Sequence, residues 1–286
     1  MRVAILPNLT RKNAKEVTDA ICSFMAANSV ECCFEKEFEG FFPDCCRYLD
    51  DKDLFEGCDI IIAVGGDGSI IHAAKRALKY SKPILGVNAG NLAFMAGLES
   101  NETELLKNLI DGNYKVDRRM LLDVCVYDGE SGLMIKQNTC INDVVIARSE
   151  MVKMVRLNVS CDEDRINEYY ADGIIVSTPT GSTAYSLSAG GPVVDPRIES
   201  IVLTPICTHS LFARSIIFSS DSEVCVEVPQ DETQEIAVSC DGDESLIIGA
   251  KSKIIIRKSE SFANFIRIKN DSFIDVLNSK LAQRRM

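Results

Sequence analysis

The chain has 286 residues, 46% hydrophobic and 26% charged, the balance of a globular protein long enough for two domains or one large one. Its formal net charge of −11 argues against broad binding to nucleic acid or to an anionic membrane, although a local basic pocket can still take an anionic ligand. No apolar run approaches transmembrane length, and the twelve cysteines show no Cys-x-x-Cys spacing, which argues against zinc.

Arg2 to Pro7 reads as a strand rather than a signal peptide. The protein is therefore expected to be cytoplasmic, with reduced thiols that mostly pack. The adjacent pairs Cys32-Cys33 and Cys45-Cys46 have no explanation at this level. Lys12 to Ala27 carries Ala14, Val17, Ala20, Ile21, Phe24 and Met25 at helical spacing. Glu31 to Phe34 reads as a strand and 36–50 as loop. The apolar run Asp59 to Ala63 reads as a buried strand and Ile70 to Leu78 as a helix. Lys82 to Val87 is the next strand, and Thr103 to Ile110 a helix with Asn101 as its N-cap. Strands alternating with helices predict a parallel sheet.

From Met120 the texture changes to short apolar runs between polar turns. Leu121–Tyr127, Thr139–Ala147, Lys153–Ser160, Gly173–Ser177, Ile201–Ile206, Glu223–Val228, Glu235–Ser239 and Ser252–Arg257 read as strands of a β domain. Asp271 to Gln283 reads as a helix behind an Asp cap. The expected fold is an α/β N-terminal domain (parallel sheet, Rossmann-like) over 1–115, an all-β domain over 116–269, and a C-terminal helix over 270–286.

Three stretches carry chemistry. In Gly65-Gly66-Asp67-Gly68-Ser69 one carboxylate sits among glycines where a strand ends and a helix begins, the place where an open α/β sheet holds ligands. Glycines let backbone N–H groups approach a phosphate, and the helix N-terminus favours an anion. Asp67 itself repels phosphate, so it suits a base for a hydroxyl or a metal partner. A tight turn with a helix-capping Asp is the other reading. In Ala171 to Pro192 eight hydroxyl side chains fall between Ser177 and Ser188. They suit phosphate, ribose or a base edge, or else a local Ser/Thr turn. Asn142-Asp143 can read a purine edge and a ribose diol, or form a turn.

Taken together and in order, these stretches resemble the NAD kinase family. The resemblance also covers Gly86 to Phe94 and Thr204 to Leu211, and it spans nearly the whole chain. The run from Thr178 to Pro192 is specific to that family, whereas Gly-Gly-Asp-Gly is shared with lipid kinases and phosphofructokinases. The resemblance implies transfer of the terminal phosphoryl group of ATP, with Mg²⁺ or another divalent cation, to the adenosine ribose 2′-hydroxyl of NAD. It implies Asp67 as catalytic base, with Gly68 letting the loop approach the substrate and His72 as a basic contact. Asn142 and Asp143 would hold the adenine and ribose. Asp172 would contact the nicotinamide side. Thr183, Ala184, Tyr185, Ser186, Leu187 and Ser188 would line the adenosine pocket. Lys153 falls at a contact position, and Tyr170 at a position reached from a second subunit, so a homodimer or homotetramer is expected, and the resemblance implies that the C-terminal helix returns to pack on the first domain. No protein-held metal, nucleic acid or membrane is implied.

Some positions depart from the family pattern. Ser69 stands for Thr, Ala93 for Gly, Asp143 for Glu, Thr208 and Ser215 for Pro, and the closing Trp is missing. None removes a required chemical group. Outside the motif, His72 also reads as a solvated helix residue and His209 as packing. Two other functions compete: a catalytically silent NAD(P)-binding regulator, and a lipid kinase of the diacylglycerol or sphingosine type. The acidic charge and the lack of a basic amphipathic helix weigh against the latter.

Overall fold

The computed structural model describes residues 1–90, 93–150, 153–209 and 214–283, with side chains of the last helix as far as residue 279. Of the positions singled out above, Asn91, Leu92, Ser210, Leu211 and the terminal 284–286 lie outside the described residues. The chain divides into two compact units, Met1–Arg118 with Ala263–Met286, and Arg119–Phe262.

In the first unit the elements are β1 (Arg2–Pro7), α1 (Ala14–Ala27), β2 (Glu31–Glu35), β3 (Arg47–Leu49), α2 (Asp51–Gly57), β4 (Ile60–Gly65), α3 (Asp67–Leu78), β5 (Ile84–Asn88), β6 (Leu98–Glu99) and α4 (Leu106–Ile110). The sheet runs β3-β2-β1-β4-β5 with every neighbour parallel, an order found in doubly wound folds. Every residue of β4 and β5 is buried, because helices cover both faces of such a sheet. That is why Ile60-Ile61-Ile62 is an unbroken apolar run and not an alternating one. On α1, Ala14, Val17, Thr18, Ile21, Cys22 and Met25 form the buried stripe. Asn101 makes no cap: a 3₁₀ turn, Thr103–Leu105, precedes α4 without a side-chain cap bond.

The expected loop over 36–50 holds a 3₁₀ turn at Lys36–Phe38 and the short β3. Ring packing orders it. Phe34 stacks on Phe42 at 4.5 Å and lies 6.1 Å from the Tyr48 ring. The strand pleat also accounts for the adjacent cysteines at 32 and 33. Cys32 joins the core that holds Cys22 of α1, while Cys33 is buried on the opposite face. At the second pair Cys46 enters that core and Cys45 is exposed.

In the second unit lie most of β7 (Lys115–Tyr127), then β8 (Met134–Cys140), β9 (Asp143–Arg148), β10 (Val155–Cys161), β11 (Asp164–Ala171), β12 (Gly173–Ser177), α5 (Tyr185–Ser188), β13 (Ser200–Ile206), β14 (Ile216–Ser219), β15 (Val224–Glu227), β16 (Ile236–Cys240), β17 (Leu246–Ile248) and the start of β18 (Lys253–Arg267). One antiparallel sheet runs β14-β13-β12-β9-β16-β17. β10 pairs with β11 and β15, and β7 with β8. Val144, Ile146, Ile174, Val176, Leu203 and Val238 point into the apolar core. The strand expected over Thr139–Ala147 is two, β8 and β9, broken at Ile141-Asn142. β11 was not expected. It returns from β10 through Asp162-Glu163, both at positive φ (49° and 72°), a hairpin turn made without the glycine that normally signals it.

The last helix, α6 (Phe273–Gln283), is capped by Ser272 and not by Asp271. The Asp275 amide donates to Ser272 Oγ at 3.1 Å, and the Asp275 carboxylate accepts from the Ser272 amide at 3.1 Å, a reciprocal capping box. Among the described residues no helix is long and apolar enough to cross a membrane.

Phe34 is fully buried and anchors the ring cluster. Phe34→Ala is expected to lower unfolding stability by about 3–5 kcal/mol, read as a shift in the urea midpoint.

Candidate active site

The polar constellations lie on different units. In the first unit, the chain leaves β1 toward β2 on one side and later leaves β4 toward β5 on the other. The loops after β1 and β4 therefore meet at the point where strand order reverses, the place open α/β sheets use for ligands. Two bonds join them: the Asn8 amide nitrogen donates to the Val64 carbonyl at 2.9 Å, and Asn8 Nδ2 donates to Ser69 Oγ at 2.7 Å. Arg11 brings a cation to the same place, its Nη2 lying 3.9 Å from where a Cβ on Gly66 would stand. Sequence reading missed both Asn8 and Arg11, because nothing in a β1–α1 connection announces which later loop it will face.

Asp67 is the first residue of α3, after Gly66 in extended conformation (φ −95°, ψ −176°). Its two carboxylate oxygens accept the backbone amides of Phe94 at 2.9 Å and Met95 at 2.8 Å. These bonds orient the carboxylate. Gly68 is exposed, and a Cβ added to it would meet nothing within 4 Å. Among the described residues nothing around it requires a glycine. His72 is exposed on the following turn of α3.

In the second unit the break between β8 and β9 organises the site. The Asp241 carboxylate accepts three successive amides, from Ile141 at 2.9 Å, Asn142 at 2.7 Å and Asp143 at 3.2 Å. Thr178 takes the carbonyls: its Oγ1 donates to Ile141 O at 2.7 Å and its amide to Asn142 O at 2.8 Å. Gly181 packs so closely on residue 142 that a Cβ there would sit 2.1 Å from the Asn142 carbonyl oxygen. Sequence reading missed Asp241. The signal was present as Asp241-Gly242 between two apolar runs, and both residues adopt positive φ (53° and 77°).

Asp143 is 5% exposed, and among the described residues no hydrogen bond reaches its carboxylate. Burial, and then the charge of Asp241, push its carboxyl up to about 7.

Most of the hydroxyl run holds its own turn together. Ser182 Oγ donates to Pro179 O at 2.6 Å, Thr183 Oγ1 to Thr180 O at 3.2 Å, and Thr180 Oγ1 accepts Arg119 Nη1 at 3.1 Å. Ser186 turns inward onto Thr204 at 2.9 Å. Tyr185 and Ser188 are exposed, and Ala184 and Leu187 are half-buried.

Asp172 lies at the other end of the β9–β12 pair, five residues from Ser177, which is roughly 17 Å by strand rise. It pairs with Arg148 at 2.8 Å. The structure thus gathers Asn142, Asp143 and the 178–188 turn at one end, and Tyr170, Asp172 and His209 at the other. The His209 amide donates to Tyr170 O at 2.9 Å, and Tyr170 is 51% exposed. Lys153 is exposed and faces Glu150 at 3.4 Å.

The raised Asp143 pKa has a stability consequence of definite sign. Its folded value lies above the ordinary carboxylate range, so the contribution of Asp143 to stability is greatest below about pH 4 and is lost as pH rises through 7. Asp143→Asn is expected to flatten the pH dependence of Tm between pH 4 and 8 and to raise Tm at pH 8. Thermal melts across that range check it.

Sequence profiles of the ATP-NAD kinase N-terminal and C-terminal domains match residues 3–114 and 141–268. An NAD kinase of Thermoanaerobacter sp. (strain X514) is 36% identical over 285 residues, covering 99% of each chain. One from Caldanaerobacter subterraneus subsp. tengcongensis is 34% identical over 284 residues, again covering 99% of each. An NAD kinase from Archaeoglobus fulgidus, solved in complex with ATP, superposes with a TM-score of 0.73 at 25% identity over 99% of both chains. Yeast NADH kinase complexed with NADH matches the fold with a TM-score of 0.89 at 23% identity, covering 99% of this chain and 87% of that one. The chain belongs to the ATP-NAD kinase family.

Proposed function

We propose that Asp67 is the general base of a phosphotransferase that converts NAD to NADP. As a member of its family the chain transfers a phosphoryl group from ATP to NAD. The adenosine ribose 2′-hydroxyl attacks the terminal phosphorus of ATP, the bond to the bridging oxygen breaks, ADP leaves, and the hydroxyl proton passes to the Asp67 carboxylate. The observation that carries this reading is the clamp on Asp67. Two backbone amides fix its carboxylate at the N-terminus of α3, beside an open glycine, at the strand-order reversal.

The N-terminal dipole of α3 and the Arg11 guanidinium suit the phosphates of the donor, ATP or a related polyphosphate. Mg²⁺ carried on those phosphates would neutralise charge on the transferred group. It needs few protein ligands when phosphates supply most of its oxygens, which fits the backbone dipoles and open glycine of this loop.

For NAD, Asn142, Asp143, Thr183, Ala184, Tyr185, Ser186, Leu187 and Ser188 form the adenosine end and Asp172 the nicotinamide end, with His72 and Lys153 as basic contacts. The separation of Asp143 from Asp172 suits the two ends of a dinucleotide. Ser186, whose hydroxyl bonds Thr204, acts by shaping the turn. The exposed Tyr170 is offered to a second subunit of a cytoplasmic homodimer or homotetramer.

Asp67→Asn is expected to lower NADP formation by about 10²–10⁴-fold with NAD binding retained. Asparagine offers one acceptor where aspartate has two, so one of the Phe94 and Met95 amides also loses its partner. NAD affinity must therefore be measured beside the rate. Undiminished turnover in this variant would remove Asp67 as the base, and tight NAD binding without turnover in the native chain would favour a silent regulator. Gly68→Ala separates fold from function. Among the described residues alanine meets no atom there, and it has the better helix propensity, by roughly 0.5–1 kcal/mol, so Tm should hold or rise. NADP formation should fall at least tenfold, because the added methyl projects where the substrate approaches; an unchanged rate would show that nothing binds against that backbone.

A further inference from the structure

Two buried polar side chains on the β9–β12 pair form no hydrogen bond among the described residues, and they face each other. Ser177 is fully buried and its hydroxyl lacks a partner. Asp143, directly opposite in the register, is 5% exposed and its carboxylate accepts no bond. Partners in an antiparallel ladder point to the same face. The ladder bonds here run from the Arg148 amide to Asp172 O and from the Thr178 amide to Asn142 O. That parity makes 143 and 177 a non-hydrogen-bonded pair, the type whose side chains stand closer. Their neighbours Val144 and Val176 point to the apolar core, so Asp143 and Ser177 occupy the opposite face, the one on which Ser186 meets Thr204.

A buried hydroxyl without a partner is unfavourable, and such groups are rare enough to need a reason. Four donors close to Asp143 in the chain or in the 178 turn are committed elsewhere. The Ile141, Asn142 and Asp143 amides go to Asp241, and Thr178 Oγ1 goes to Ile141 O. Asp241 is the charged group that acts on Asp143, and it opposes ionisation.

We infer that Ser177 is a positioning residue for Asp143, its hydroxyl being the donor that the Asp143 carboxylate meets across the ladder when it ionises. Side chains directly opposite in a non-hydrogen-bonded pair have Cβ atoms roughly 4.5–5.5 Å apart, within reach of a hydroxyl–carboxylate bond. Ser177 then sets the pH at which Asp143 changes from hydrogen-bond donor to acceptor toward the dinucleotide. This consequence rests on the reading that Asp143 contacts NAD; the pairing itself does not.

The test is a titration of the ligand-free full chain, with aspartate carboxyl carbons labelled and followed by NMR. Asp143→Asn identifies the Asp143 signal. The native midpoint is expected at least half a unit below that of Ser177→Ala, about a threefold change in the ionisation constant. Replacing an unpartnered buried hydroxyl by a methyl keeps the fold; Ser177→Cys, of similar shape and with a weaker donor, gives an intermediate midpoint. Ser200→Ala removes another unpartnered buried hydroxyl, on β13, and leaves the midpoint in place. In turnover at about pH 5.5, below both midpoints, Ser177→Ala should raise KM for NAD about threefold with kcat unchanged, and should add nothing to Asp143→Asn. A native midpoint equal to that of Ser177→Ala, or equal shifts from Ser177→Ala and Ser200→Ala, overturns the inference. Absence of NADP formation by the native chain would defeat the kinase reading and leave the titration to decide on Ser177 alone.

Discussion

The break between β8 and β9 at Ile141 and Asn142 is the constraint on which the second unit's site depends. Buried backbone groups must be satisfied, and here the chain passes from the sheet that holds β8 to the one that holds β9. Asp241 accepts three of the amides that the broken strand releases, and Thr178 bonds two of its carbonyls. Both substitutes are themselves turn residues, so the break, the Asp241-Gly242 hairpin and the 178–182 turn hold one another. Burial is the larger reason for the raised pKa of Asp143, and the same arrangement adds the charge of the Asp241 carboxylate beside it.

The first unit solves a different problem with the same means. A parallel sheet whose order reverses between β1 and β4 leaves a crevice above two strand ends. The β1 and β4 loops are tied by Asn8 to Val64 and Ser69, and the segment after β5 is tied to Asp67 by two amides. Asp67 is thus positioned by backbone contacts from a loop 27 and 28 residues away in sequence. Its carboxylate orientation is a property of that loop as much as of α3.

The dense hydroxyl run shows how a motif can be specific without every member touching a ligand. Thr178, Thr180, Ser182, Thr183 and Ser186 bond to the protein itself. Tyr185 and Ser188 face outward. Such a turn is rigid because its side chains replace the backbone bonds a helix or strand would have made. Rigidity at that point is what a site holding a large ligand requires.

By itself the sequence determined the elements that have a period or a glycine to mark them. The apolar runs of β4 and β5, the stripe of α1, the Gly-Gly-Asp-Gly loop and the order of motifs along the chain were all legible, and with them the two-part fold and the family. Features whose cause lies far away in the chain were not. The split of Thr139–Ala147 needed Asp241, the hairpin at Asp162-Glu163 lacked a glycine, and the order in 36–50 came from rings around Phe34. Placement of Arg148 on Asp172, of Arg11 beside Gly66 and of Ser177 opposite Asp143 was decided by register and strand order. Periodicity is written locally and can be read residue by residue, whereas which side chains share a face at the end of a sheet depends on pairings between segments a hundred residues apart or more.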